Sequence, residues 1–297
     1  MTRGHVMRNF TVHDLYVRNS RVCGDETAVV AGELRLSFNS LLGAANSLAN
    51  TLAGKGVKEG DRVAVLAMNH ADYFVLFGAI SSLGAVLVPL NWRLSVEELS
   101  FFIQDSSPEI LFTDDHQLKV ATALGENLAV PVVQFGNFAE LEEDGGERGA
   151  AAEISGDAPC CIIYTAAVEG SPRGAVLSHT NLLSANLQVI ISMGLTRDDV
   201  NLNMLPLFHI TGINLGLAVM QVGGKNVVIE KFDEKESLKL TGQEKVSVWG
   251  SFPPILQRLV EESTAGDYDI SSLKHAVGLD GPDNITAFEK ATPARFW

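Results

Sequence analysis

The stretch from Arg62 to Thr113 constrains the fold more than any other part of the chain. Arg62-Val63-Ala64-Val65-Leu66-Ala67 is apolar, Val-rich and too short for a helix, so it predicts a buried strand. Asn69 follows as a candidate N-cap. Tyr73, Leu76, Phe77, Ile80 and Leu83 then recur at helical spacing up to Gly84, a C-terminal stop. Ala85 to Pro89 predicts the next strand. Ser95 and Glu98 have capping-box spacing for a helix from Val96 to Gln104, and Ile110 to Thr113 predicts a third strand. Strand, helix, strand, helix, strand at such short intervals is the pattern of right-handed βαβ crossovers in a mostly parallel sheet.

The alternation returns in the second half. Asn201 to Leu205, Asn226 to Glu230, Val246 to Trp249 and Lys274 to Val277 read as strands. His179 to Met193, Gly212 to Val222, Pro254 to Ser263 and Asp283 to Ala291 read as helices, so a second α/β layer system is predicted. Between the two, 139–157 is rich in Ala, Glu and Gly and nearly devoid of large apolar side chains, which predicts a solvated, flexible linker. Ala294-Arg295-Phe296-Trp297 reads as the start of a further strand and suggests that the chain is truncated.

With 297 residues the chain can bury a large core. Its formal net charge of −14, with Lys and Arg scattered, repels phosphate backbones and argues against a nucleic-acid partner, while leaving room for a nucleotide held by a few local donors. Three cysteines make no disulfide framework and suit a reducing cytoplasm. Cys160 and Cys161 stand in an apolar run and read as buried strand residues, since no CxxC or matching His accompanies them. Met1 to Arg18 lacks an apolar signal core, and no run of 18 apolar residues exists, so no transmembrane segment is predicted.

The segment richest in chemistry is Tyr164 to His179. A strand, Cys161 to Tyr164, enters a small-residue loop containing Gly170, Pro172, Arg173 and Gly174, and a helix follows near Ser178 or His179. Such a loop turns backbone N–H groups toward an anion; its glycines permit positive φ and close approach, and Arg173 adds a cationic fork for phosphate. The spacing is not that of a Walker loop. An ordinary strand-to-helix turn accounts for the same residues. His209, ahead of a helix near Gly212, is either a pocket residue or a structural turn histidine. His70, His116 and His275 read as surface or turn residues. Trp249 and Phe252 fit pocket walls or core equally.

Tyr164-Thr165 through Gly170, Pro172 and Gly174, with the tail Leu177-Ser178-His179, resembles the phosphate-binding signature of the AMP-forming (adenylate-forming) enzyme family, acyl-CoA synthetase type. Other blocks of that family recur in order. They are Leu36-Ser37-Phe38, Gly56-Val57-Lys58-Glu59-Gly60-Asp61-Arg62, Gly84 to Asn91 with Arg93-Leu94, Pro206 to Gly212, and Phe252-Pro253-Pro254. The resemblance implies an α/β fold of layered αβαβα architecture, two doubly wound, mostly parallel sheets with helices between and outside, over 1–297. It implies a ligase that couples a carboxylic acid to CoA through an acyl-adenylate, using ATP, CoA and Mg2+. Thr165, Gly170, Arg173 and Gly174 become ATP phosphate contacts. His209, Trp249 and Phe252 become acyl-pocket residues. Gly278, Asp280 and Gly281 become an adenine-side turn. Some family members dimerise, so a homodimer is an expected partner state, and fatty acid metabolism an expected setting.

The departures bear on activity. The signature's hydroxyl-rich centre is Ala166-Ala167-Val168-Glu169 here, and its Lys is Arg173. A carboxylate facing phosphates would repel them. The family's magnesium-binding Glu, ribose-binding Asp and catalytic Lys stand in blocks that the 297 residues do not contain, so no catalytic residue or metal ligand is assigned, and little turnover is expected of this chain alone. A non-catalytic acyl- or nucleotide-binding module and a different adenylating enzyme are the competing readings.

Overall fold

A computed structural model of the protein describes residues 10–136, 153–165 and 172–297. In chain order the elements are α1 (Val12–Cys23), β1 (Thr27–Ala31), β2 (Leu34–Ser37), α2 (Phe38–Gly54), β3 (Arg62–Leu66), α3 (Asp72–Leu83), β4 (Val86–Pro89), α4 (Val96–Ser106), β5 (Ile110–Thr113), α5 (Leu118–Leu128) and β6 (Val132–Gln134). The second part holds β7 (Pro159–Thr165), β8 (Arg173–Ser178), α6 (His179–Met193), β9 (Val200–Asn203), α7 (Ile210–Val222), β10 (Lys225–Val228), α8 (Glu234–Glu244), β11 (Val248–Ser251), α9 (Ile255–Ala265), β12 (His275–Gly278), α10 (Pro282–Ala291) and β13 (Arg295–Phe296).

Among the described residues these strands form two sheets. One has the order β6-β5-β3-β4-β7-β8 and is parallel except for the β7–β8 hairpin. The other has the order β13-β12-β11-β9-β10-β1-β2 and is parallel except for the β1–β2 hairpin. Every residue of β4 and β5 is buried, as parallel strands covered on both faces require. All of α3 is buried too, because it is apolar around its whole circumference and has a sheet on either side.

The layers follow from the direction of each crossover. From β9 the chain moves through α7 to β10 on one flank. It then returns through α8 to β11 on the other flank, and α9 and α10 continue outward. Right-handed crossovers in opposite directions put α7 on one face and α8, α9 and α10 on the other. The first sheet does the same around β3, with α3 inside and α4 and α5 outside. The central core joins α1, α2, α3, α6 and α7, and separate outer cores sit under α4–α5 and under α8–α10. The layered αβαβα expectation is thus what the structure shows. Among the described residues no helix is long and apolar enough to cross a membrane.

Several local expectations are corrected. Asn69 does not cap α3, which starts at Asp72 behind Ala71 with no side-chain cap; Asn69 is committed elsewhere, as described below. Arg173 to Ser178 is a strand, not the end of a loop. Of the linker, 139–152 lies outside the described residues. Its last part is docked: the Gly156 carbonyl accepts from the Thr180 amide, and Ile154 lies against Gly84. The Ser95–Glu98 capping box, the left-handed Gly84 stop and the buried Cys160–Cys161 pair are all present.

Candidate active site at the carboxyl ends of both sheets

In doubly wound sheets, ligands bind beyond the carboxyl ends of the strands, where neighbouring crossovers diverge. In the second sheet that point lies between β9 and β11. His209 follows β9 and Phe252 follows β11, and their rings meet edge-on with centroids 5.9 Å apart. His209 is the N-cap of α7, and its Nδ1 accepts the Thr211 amide at 3.3 Å. Since Nδ1 is the acceptor, the ring proton resides on Nε2, leaving that N–H free to donate to a ligand. Loss of solvent around the ring lowers the His209 pKa below its ordinary value, so the imidazole is neutral at pH 7.

The first sheet presents its own carboxyl end to the same region. Asn69, three residues past β3, is buried, and its Nδ2 donates to the carbonyls of Asn203 and Leu205 at 3.1 and 3.0 Å. Its Oδ1 accepts the Leu207 amide at 2.8 Å, and its own amide donates to the Glu230 carbonyl. Trp92, just past β4, meets Phe208 edge-on, and the Arg93 guanidinium lies 4.4 Å from the Trp92 ring centroid and 5.5 Å from that of Phe208.

The phosphate-loop candidates lie on this edge too. β7 runs parallel to β4 with Cys161 opposite Leu87, which brings Thr165 level with Asn91. Tyr164 points to the outer layer, where it stacks on Phe102 at 4.2 Å and donates to Asp105 at 2.6 Å; burial and that carboxylate raise its pKa. Strand alternation therefore turns Thr165 the opposite way, and its hydroxyl reaches the Arg173 carbonyl at 3.4 Å. Thr165 pairs with Arg173 and Tyr164 with Gly174, and Thr165 and Arg173, the last described pair of the hairpin, are both exposed. Gly174 is needed for close approach rather than for a positive φ. A Cβ there would stand 2.8 Å from Ile162 and 3.3 Å from the Tyr164 ring. Gly170 and the Ala166 to Glu169 centre lie outside the described residues.

Trp249 requires a correction. It pairs with Leu202, faces the outer layer, is 1% exposed, and donates through Nε1 to Thr241 of α8 at 3.1 Å beside Phe288 of α10. It is core, on the opposite sheet face from α7. The residue that faces α7 is Gly250, against Leu205 and Leu215. Gly278 does reach the site edge, since it pairs with Ser251. Its φ is +153° and a Cβ would stand 1.8 Å from the Ser251 carbonyl oxygen, so no other residue fits. Asp280 braces α10, its Oδ1 accepting from the Gly281 amide and from Asn284. The structure thus brings together His209, Phe252 and Gly278 on one sheet and Thr165, Arg173 and Gly174 on the other. The sequence reading missed Asn69 as a bridge and the Trp92–Arg93–Phe208 stack; a lone polar residue after an apolar strand was the signal for the first.

Comparisons with known proteins identify the family and the fold. A family model described as AMP-binding enzyme matches residues 17–292. A feruloyl-CoA synthase of Amycolatopsis sp is 33% identical over 277 residues, covering 90% of this chain and 54% of that protein. An indoleacetate–CoA ligase of Aromatoleum aromaticum is 30% identical over 259 residues, covering 84% of this chain and 51% of that protein. The crystal structure of a putative long-chain-fatty-acid CoA ligase from Rhodopseudomonas palustris superposes with a TM-score of 0.90 at 34% identity, over 98% of this chain and 75% of that one. The chain spans about half the length of the curated relatives it matches.

Proposed function

The chain belongs to the AMP-binding enzyme family, and from that premise we propose that the protein acts in an acid–CoA ligase. In the reaction a carboxylate attacks the α-phosphate of ATP, giving an acyl-adenylate and pyrophosphate. The CoA thiol then displaces AMP and gives the acyl-CoA. The observation that supports this reading is the contact between the carboxyl ends of the two sheets, where Trp92 and Arg93, just past β4, meet Phe208 next to His209.

In this reading the acid lies against Phe252 with a carboxylate oxygen accepting from His209 Nε2–H. A neutral donor suits the step, because it orients the carboxylate without quenching the charge that makes it a nucleophile. Arg173 offers a planar fork to phosphate oxygens, and the Thr165 hydroxyl a further donor. Catalysis then rests on holding the two reactants in line. Among the described residues no group of three His, Cys, Asp or Glu side chains is placed to hold a metal ion.

We further propose an aryl or alkyl acid, rather than an amino acid, as substrate. The names of the 33% and 30% identical relatives and the aromatic walls of Phe208 and Phe252 support it. The test is calorimetric titration of ferulate, indoleacetate, decanoate and phenylalanine into the chain. The expected result is binding of one of the first three, weakened about tenfold or more in Phe252→Ala, a loss of the size expected for one aromatic contact. Preferential binding of phenylalanine, or indifference to both Phe252→Ala and His209→Ala, would overturn the reading.

A further inference from the structure

We infer that Asn69 is a positioning residue for His209, setting one half-site against the other through the bracket it forms between the sheets. The half-sites belong to separate sheets, and a carboxylate and a phosphate must meet within a fraction of an ångström to react. Asn69 leaves the end of β3, which belongs to the phosphate-side sheet. Its side chain spends both amide protons and its carbonyl on a five-residue stretch, Asn203 O, Leu205 O and Leu207 N, which runs directly into His209. Its backbone amide adds a fourth tie, to Glu230 just past β10.

The stretch between Asn69 and the imidazole leaves little slack. The His209 amide donates to the Pro206 carbonyl at 3.1 Å. The α7 N-terminus presses on the same carbonyl: a Cβ on Gly212 would come within 2.4 Å of that oxygen. The Nδ1–Thr211 bond that fixes the imidazole tautomer depends on where this stretch delivers the α7 N-terminus. Only an amide, with two donors and one acceptor on one planar group, matches this set of partners. Asp would turn oxygens toward both carbonyls, and a hydroxyl would supply one donor at most.

The inference rests on the acid-ligase reading for its consequence but not for its test. Long-range 15N NMR of the histidines, with the His209 signal assigned from His209→Gln, is recorded for the wild-type chain, for Asn69→Ala and for Ser247→Ala. Ser247 is a comparable buried joint at the amino end of the sheet that carries His209, bonded to Val200 N and Asp199. It therefore reports what loss of stability alone does. The expected result is a single Nε2–H tautomer with a depressed pKa in the wild type and in Ser247→Ala. In Asn69→Ala we expect mixed tautomers and a pKa moved back toward the ordinary imidazole value. Acid binding should weaken about tenfold in Asn69→Ala and stay unchanged in Ser247→Ala. An unaltered His209 signal in Asn69→Ala would overturn the inference. Absence of acid binding in the wild type would overturn the functional reading and leave the NMR result to judge Asn69. If Asn69→Ala does not fold, Asn69→Ser is read by the same signals.

Discussion

His179 gives the sharpest energetic prediction. It is the first residue of α6, fully buried, and its Nδ1 accepts the Val12 amide at 3.2 Å, tying α6 to α1. Its Nε2 is buried with no hydrogen-bond partner among the described residues. Desolvation pushes its pKa from the ordinary 6.5 down to about 4; Asp14 counteracts this and His13 adds to it. The folded state therefore resists a proton that the unfolded chain accepts below about pH 6.5. This group's contribution is fully present above that pH and is lost as pH falls through the window from 6.5 to 4. Between pH 7.5 and 5.5 the loss comes to about 1.3 kcal/mol. His179→Gln keeps an oxygen to accept the Val12 amide and removes the titration. Urea unfolding of both proteins at the two pH values should show the wild type losing about 1.3 kcal/mol more than the variant. Parallel losses would refute the buried, neutral state of His179.

Three other outcomes follow from the same structure. Glu244 accepts from Lys225 at 2.8 Å and pairs with Arg35, which holds its pKa at about 2, so Glu244→Gln should cost about 2 kcal/mol at pH 7 after screening, by urea unfolding. That cost should shrink as pH falls below the ordinary carboxylate value of 4.5 toward 2. Gly278→Ala should yield little soluble protein, because the displaced atom is the backbone oxygen of Ser251 in the neighbouring strand. Trp249→Phe should lower stability by about 2 kcal/mol through the lost Thr241 bond and the gap left, with acid binding unchanged, whereas Phe252→Ala should do the reverse.

Much of this fold was legible because parallel strands buried on both faces must be short apolar runs, and β3, β4 and β5 have no other reading. Of the central-core helices, α3, α6 and α7 were legible from their apolar residues, whereas α1 was not read as a helix and α2 only as a family block. α8 was not legible, since only Ser237, Leu238 and Thr241 are buried and, apart from Leu240 and Gly242, the rest of it is charged or polar. β8 hid behind Gly174 and Ala175 on an exposed edge, where no alternation survives. The face of Trp249 could not be read because parity in a four-residue strand depends on which strand it pairs with, here Leu202 of β9. Asn69 failed similarly. A polar residue ahead of a helix looks like a cap, and only the second sheet supplies the three partners it takes instead.

If one edge of the chain holds an acid beside a nucleoside triphosphate, ATP must bind there. Calorimetric titration of ATP into the chain, alone and then saturated with the acid that binds best, decides it. The expected result is ATP binding at millimolar or lower concentration, weakened by Arg173→Ala and altered by the acid. No heat of binding at millimolar ATP, or binding indifferent to Arg173→Ala, would contradict it.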